Sequence, residues 1–199
     1  MIGVRFKFDY DPSRWVMIPP AGAVDYDQWA AQTAKAWARD LDREADSNWE
    51  SVFERMLLRC VVTPNSARWD ARFINVIAAP GKAASLLPAN LMMMTPEEAG
   101  GSLAANLPRP EDPELVEPPV VETFELHPDM SATRIIRYVR DGDDDHVRAD
   151  MFVVWRGHPQ AELGLVTGSD ELGRLLLARD DLVELARAIT LVPLDEPAL

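Results

Sequence analysis

Hydrophobic and polar residues alternate at the start of the chain. Apolar side chains occupy every second position over residues 2–8, separated by Gly3, Arg5 and Lys7. This period of two predicts a half-buried strand. Turn-forming residues follow at 11–13, and residues 14–18 predict a second strand that ends at Pro19 and Pro20. Together these segments predict an N-terminal β-hairpin.

The period lengthens to about four residues after Gly22, as expected for one face of an amphipathic helix. The repeating positions are Trp29, Thr33, Trp37 and Leu41. Asp25 and Gln28 form a capping-box pattern at the start of this helix, and Ser47 and Glu50 form a second one. The pattern leaves open whether residues 39–47 interrupt one helix or continue it.

Two strands with apolar residues on both faces follow, at 73–79 and 90–95. A strand that is apolar on both faces is typically covered on both sides. The second strand contains Met92, Met93 and Met94. We interpret these methionines as gap-filling core residues in preference to an adaptable binding surface.

Residues 96–119 change composition, with six prolines, a net negative charge and no sustained period. Because proline lacks the amide donor that helices and strands require, this segment is predicted to be an acidic, proline-rich loop. Three roles remain open for it: a lid, a partner-binding arm or a tolerated insertion. Leu103 and Leu107 are its candidate partner-binding residues.

Four further strands are predicted at 120–126, 133–140, 147–156 and 161–167, and their short connections favour an antiparallel meander. The C-terminal region returns to helical spacing. Asp181 and Glu184 are interpreted as the cap of the last helix, whose apolar face extends to Ile189. Leu172, Leu175 and Leu176 are interpreted as part of a preceding turn or short helix.

This order predicts one α+β domain over residues 1–199. Because two-faced apolar strands need cover on both sides, we expect a three-layer α/β/α sandwich with a largely antiparallel sheet. The tryptophan-rich helix is expected on one face and the C-terminal helix on the other.

Five segments of the chain resemble the PsbP-like family in their order: RWVMIPP, DYDQWAAQTAKAWARDL, MFVVWRG, AELGLVTG and DLVELARAITL. The resemblance is topological and spans nearly the whole chain. It implies an α/β/α sandwich and a non-catalytic binding, assembly or chaperone-type protein. It supplies no catalytic residues.

The charge balance narrows the classes of partner. The chain carries 20 basic and 33 acidic residues, for a net charge of −13. An acidic chain repels nucleic-acid phosphates and anionic membrane surfaces. We interpret the net negative charge as a feature that keeps the protein soluble. The more specific alternative is that it attracts a basic partner protein. No apolar run long enough for a signal peptide or a membrane span is present, which predicts a cytoplasmic protein.

The acidic stretch between two predicted strands is the first candidate site. Asp141, Asp143 and Asp145 alternate like the first ligands of a calcium-binding loop, with His146 beside them. That loop requires glycine at its sixth position and glutamate at its twelfth, but this chain has His146 and Phe152 there. We therefore interpret the stretch as a solvated hairpin turn and keep weak metal binding or contact with a basic partner as alternatives.

Other chemistry has little support. The three histidines lack zinc-site spacing, and neither a nucleophile elbow nor a phosphate-binding glycine loop occurs. The single cysteine, Cys60, is flanked by apolar residues and is expected to be a buried, inert thiol. Trp29 and Trp37 share a helix face and are interpreted as core, whereas Trp15, Trp49 and Trp69 are candidate partner contacts.

The sequence thus favours a non-enzymatic protein-binding, adaptor or chaperone-like module, with no cofactor and an undetermined oligomeric state. A small-ligand or divalent-metal-binding domain is the alternative. It would use a pocket between sheet and helix, or the acidic tip.

Overall fold

A computed structural model describes residues 3–42, 47–62, 69–77, 84–107, 111–140 and 146–194. Its helices and strands follow the α+β order predicted from the sequence, with two additions, α3 and β9. The elements are β1 (Val4–Phe8), β2 (Trp15–Met17), α1 (Tyr26–Asp40), α2 (Ser47–Val62), β3 (Ala71–Ile77), β4 (Ser85–Met94), α3 (Leu103–Asn106), β5 (Val120–His127), β6 (Met130–Arg140), β7 (Val147–His158), β8 (Ala161–Ser169), α4 (Leu172–Arg187) and β9 (Ile189–Pro193).

Seven strands form one antiparallel sheet in the order β2-β3-β4-β8-β7-β6-β5. The predicted meander accounts for four neighbouring strands of this sheet, β5 to β8. The two N-terminal strands are also present, and each pairs with a strand from later in the chain. β1 pairs with β9 in a separate ribbon, and β2 pairs with β3.

The sheet is covered on both faces, as the two-faced strands predicted. In β3, Phe73 belongs to the cluster under α4, whereas its neighbour Ile74 belongs to the cluster under α1 and α2. The β1–β9 ribbon packs on the α4 side, where Phe8 contacts Phe73 edge-on at 5.3 Å between ring centroids. The result is the predicted three-layer sandwich, with the tryptophan-rich helices on one face and α4 on the other.

The helix boundaries show whether residues 39–47 interrupt a helix and where the last helix begins. α1 ends at Asp40 and α2 begins at Ser47, so the region holds two helices. The predicted cap at Asp181 is wrong, because α4 begins at Leu172 and runs unbroken through this position. Asp181 instead pairs with Arg14 and accepts a hydrogen bond from the buried Asn75 at 3.2 Å.

Part of the predicted proline-rich loop packs onto the sheet. Leu103, in the short helix α3, contacts Ile135, Phe152 and Val154 on the face away from α4. The buried carboxylate of Glu162 accepts hydrogen bonds from the Ser102 hydroxyl at 3.0 Å and from the Leu103 amide. These contacts hold the first half of the loop against the protein.

Candidate protein-binding surface at a sheet edge

β5 forms one edge of the seven-stranded sheet. It pairs with β6 on one side, and within the described part of the chain no strand pairs with its other side. Val120 and Val121 are 46% and 49% exposed. An unpaired edge of this kind presents free backbone donors and acceptors to another extended chain. The position of β5 makes it the first candidate for a binding surface.

The hydrogen bonds just before β5 show which backbone groups of β6 point toward this edge. Val116 donates its amide to the Tyr138 carbonyl at 2.9 Å, and Arg140 donates its amide to the Glu114 carbonyl at 2.8 Å. Because the direction alternates along a strand, the even-numbered residues of β6 direct their backbone groups toward β5.

The same alternation assigns the backbone groups of β5. Its residues 120, 122 and 124 lie opposite residues 136, 134 and 132 of β6, so they form the hydrogen-bonded pairs of the ladder. The residues between them direct their amides and carbonyls away from the sheet: Val121, Thr123 and Glu125. β5 therefore offers an outward row of backbone groups at every second residue.

Both ends of this row are closed. Pro118 and Pro119 precede the strand and have no amide to donate. At the other end, the Arg187 guanidinium donates to the carbonyls of Leu126 at 3.0 Å and Glu125 at 3.5 Å. The open edge is therefore limited to the segment between Pro119 and Glu125.

An apolar groove lies beside the edge, between α4 and β6. Leu172 and Leu176 of α4 are 43% and 60% exposed and line a depression of about 10 Å³ with Ile136, Tyr138 and the Arg179 side chain. Val120 of β5 lies opposite Ile136 and continues this apolar surface to the sheet edge. Contiguous exposed apolar surface is typical of interaction sites. We call the open edge of β5 together with this groove the edge surface.

The groove becomes polar toward the C-terminal end of α4. A cleft of about 620 Å³ is lined there by residues of β5, β6 and α4. Its charges are paired: Arg134 with Glu122, Arg179 with Asp180 at 3.0 Å, and Arg187 with Glu184 at 2.5 Å. The two pairs on α4 are solvent-exposed and contribute little stability, whereas the Arg134 side chain is only 15% exposed.

The chain leading into β5 and β5 itself are strongly acidic. Residues 111–127 contain six acidic residues and no lysine or arginine. These are Glu111, Asp112, Glu114, Glu117, Glu122 and Glu125. Five of the six are exposed, with Asp112 half-buried. The edge surface thus combines free backbone groups, exposed valines and a negative charge.

Two of the partner-contact candidates from the sequence lie in the interior. Trp15 is 3% exposed and contacts Phe73 edge-on at 6.4 Å. Leu103 is 7% exposed. Both side chains are packed against other residues of the core, so neither presents a surface to a partner in this structure.

The other three candidates are only partly buried. Trp49 stacks on Phe53 at 4.7 Å, and Trp69 is half-buried. Leu107 is half-buried, and its carbonyl accepts a hydrogen bond from Arg137 at 3.4 Å. Trp49 packs in the cluster under α1 and α2, whereas Leu107 packs in the cluster of Ile135, which lies opposite Val121 of β5.

The acidic tip falls largely outside the described residues, which exclude Asp141, Asp143 and Asp145. His146 is described and exposed, with its Nε2 atom 3.4 Å from the Asp170 carboxylate. Across the described ranges, no group of three or more His, Cys, Asp or Glu side chains could hold a metal ion. Metal binding at the tip stays a prediction.

A second cleft, of about 660 Å³, lies between β1, the 9–15 turn and the end of α4. Its lining alternates in charge, with Lys7, Arg14 and Arg187 set against Asp9, Asp11 and Glu184. Arg14 pairs with Asp181, and this interaction raises the pKa of Arg14. The cleft is therefore polar and close to charge balance.

Comparison with protein-family models found no match, and comparison with curated proteins found no similar sequence. The resemblance to the PsbP-like family therefore stays a prediction. In the described ranges, no helix has the length and apolar character needed to cross a membrane.

Sequence reasoning missed the edge surface. The acidic content of residues 111–127 was visible, and so were the two valines that begin β5. The position of β5 at the edge of the sheet was not, because strand order depends on contacts between distant segments. The exposed leucines of α4 were also missed, because Leu172 and Leu176 were assigned to a separate turn or short helix before the last helix.

Proposed function

We propose that this chain is a non-enzymatic, cytoplasmic protein-binding module of the adaptor or chaperone-like type, and that its partner binds at the edge surface. The observation that carries the proposal is the open edge of β5 beside the exposed leucines of α4. Edges of sheets that are neither covered nor twisted away are sites where other chains pair.

The buried carboxylates of Asp150 and Glu162 support this proposal, because each has partners within the protein. Asp150 is 7% exposed and lies within 3.3 Å of Arg137 and 3.0 Å of Arg148. Glu162 holds the segment that contains α3. A catalytic acid or base needs access to a substrate, whereas these carboxylates are occupied by the protein itself.

Site-specific photo-crosslinking in the source cells tests the proposal. A photoreactive amino acid at Leu176 or Val120 should crosslink the same partner, because both side chains lie on the α4 side of the edge surface. The matched control is Val52 of α2, which is 39% exposed on the opposite side of the sheet. Absence of a crosslinked partner at Leu176 and Val120, or equal crosslinking at Val52, would contradict the proposal.

The substitution Leu176→Asp gives an independent measurement. It places a charge in the apolar groove, so we expect the partner no longer to crosslink to a photoreactive residue at position 120. The exposed position should leave the thermal midpoint almost unchanged. Retention of the partner by this variant would argue against the groove as a contact.

A small-ligand-binding domain is the second candidate, favoured by the cleft of about 660 Å³ beside Lys7 and Arg14. Its volume lies in the range of ligand pockets, although such pockets are usually more apolar. A thermal-melt screen with metabolites and divalent cations tests it. A shift abolished by Arg14→Ala would favour the cleft, and one abolished by Asp143→Ala with Asp145→Ala would favour the tip.

A further inference from the structure

We propose that the partner binds by adding an extended strand to β5, and that this strand carries basic residues among apolar ones. The inference rests on the proposed function and names the class of its partner. It follows from three properties of the edge surface: the direction of its backbone groups, its charge and the identity of its exposed side chains.

The backbone of β5 is already in the geometry that strand addition needs. Pairing with β6 fixes it in an extended conformation, and the amides and carbonyls of Val121 and Thr123 point outward. An added strand would bond to these groups without disturbing the ladder between β5 and β6. Main-chain hydrogen bonds supply affinity in this mode of recognition, and side chains at alternate positions supply specificity.

The charge of the edge selects the kind of partner. Residues 111–127 carry six acidic side chains with no lysine or arginine, in a chain whose net charge is −13. One of the six, Glu122, is paired with Arg134 of β6, so a basic partner competes with Arg134 at that position. A second copy of this chain would bring one acidic segment against another, and directly opposed like charges destabilise a sheet. A basic segment is attracted to the same surface, and this attraction also accelerates association.

The order of residues in β5 sets a pattern for the added strand. Glu122 and Glu125 are three residues apart, so their side chains lie on opposite faces of the sheet. The best partner therefore has two lysines or arginines three positions apart. Opposite Val120 and Val121 it would carry β-branched or aromatic residues, which pack well across strands.

The length of the added strand is limited by the closed ends of β5. Pro119 ends the donor row on one side, and Arg187 occupies the carbonyl of Glu125 on the other. Pairing is therefore confined to about five or six residues, the usual length of a strand. Peptides longer than this paired segment should gain further affinity only from electrostatic attraction to the acidic side chains.

Binding of a synthetic peptide to the whole chain tests the inference. The probe is a peptide of about seven residues with two lysines three positions apart and valine, isoleucine or threonine elsewhere. We expect it to bind at least about tenfold more tightly than the same peptide with both lysines replaced by glutamate, because two favourable cross-strand pairs become two unfavourable ones. Equal affinity of the two peptides would overturn the charge argument.

Methylation of peptide amides distinguishes strand addition from nonspecific attraction. Two versions of the probe carry N-methyl groups on alternate residues, one on the odd positions and one on the even positions. Only one set of amides faces β5 in an added strand. One version should therefore lose binding, and the other should retain it. Equal binding of both versions would overturn strand addition.

Amide hydrogen exchange locates the new strand on the protein. The outward amides of Val121 and Thr123 should become at least about tenfold more protected in the complex, whereas those of Glu122 and Phe124 are protected already by β6. The double variant Glu122→Gln, Glu125→Gln should weaken the lysine peptide by about threefold to tenfold. The control variant Asp27→Asn changes an exposed residue of α1 and should bind the lysine peptide like the unmodified chain.

The outcomes separate this inference from the proposed function. If a partner crosslinks at Leu176 while Val121 and Thr123 gain no protection in its complex, strand addition is overturned and protein binding stands. If no partner crosslinks at the edge surface, the proposed function fails even though a synthetic peptide binds.

Discussion

Cys60 lies near the end of α2, where Arg72 donates hydrogen bonds to the backbone carbonyls of Cys60 and Val61 at 2.5 and 3.3 Å. Burial raises the pKa of its thiol from 9.0 to about 11, although the nearby Arg72 opposes this shift. The sequence predicted a buried, unreactive thiol from its apolar neighbours, and the structure confirms the burial.

The raised pKa predicts how stability depends on pH at this residue. Between about pH 9 and 11 the thiol of the unfolded chain ionises while that of the folded chain stays protonated, so unfolding becomes more favourable as pH rises. We expect Cys60 to lower the free energy of unfolding by about 2 kcal/mol across this range, with no effect below it. Urea unfolding at about pH 8 and about pH 10.5 measures the change.

Lysine and tyrosine side chains ionise over the same pH range, so the comparison needs a variant without the thiol. Cys60→Ala provides it, since the other groups are unchanged and the chain has one cysteine. The variant should lose less stability than the unmodified chain as the pH rises. Equal losses in the two proteins would mean that the thiol ionises alike in the folded and unfolded states.

The start of α1 shows how a short sequence pattern fixes the end of an element. The Asp25 carboxylate accepts a hydrogen bond from the Gln28 amide at 3.0 Å, which satisfies a donor that the first helical turn leaves free. Asp25→Ala should therefore lower the free energy of unfolding by about 1 kcal/mol. The thermal midpoint should fall by about 2–4 °C in a chain of this size.

Asp25→Asn is the matched control, because an asparagine side chain also caps helices well. It should keep most of the stability that Asp25→Ala loses. A Gln28 amide whose hydrogen exchange is unchanged by Asp25→Ala would show that this cap does not hold the helix end.

The elements with a clear period could be predicted from sequence, and their partners could not. Alternation predicted the N-terminal strands and the meander, since strand residues at every second position share a face. Pairing of β1 with β9 joins the two ends of the described chain, and no local pattern indicates such a contact. The position of β5 at the edge of the sheet could not be predicted for the same reason, because it depends on contacts between distant segments.

The prediction for the C-terminal elements was wrong, and the cause is physical. Ile189 lies four residues after Leu185, so the sequence placed it on the last helix, but Ala188 ends α4 and Ile189 begins β9. A short apolar segment fits both periods, and its tertiary contacts decide between them. Asp181 resembled a helix cap for a similar reason, since a single carboxylate serves equally well as the partner of Arg14.

At the scale of the whole molecule, the net charge of −13 opposes the compact state through self-repulsion. Exposed ion pairs such as Arg187 with Glu184 act in the opposite direction, but each contributes only about 0–1 kcal/mol. Added salt weakens both effects, since the screening length falls from about 30 Å at 0.01 M to about 8 Å at 0.15 M. Because the uncompensated charge extends over the whole molecule, we expect relief of repulsion to prevail and the thermal midpoint at pH 7 to rise by about 2–5 °C across this range.

The same salt titration near pH 4.6, the isoelectric point calculated from composition, is the control. With the net charge close to zero, little repulsion remains to be screened, so the midpoint should change much less there. Equal shifts at both pH values would point to a general salt effect on apolar burial. A midpoint that falls with salt at pH 7 would show that the ion pairs outweigh the repulsion. Salt should also weaken binding of the proposed basic partner at the edge surface, so we expect added salt to stabilise the fold while it weakens binding.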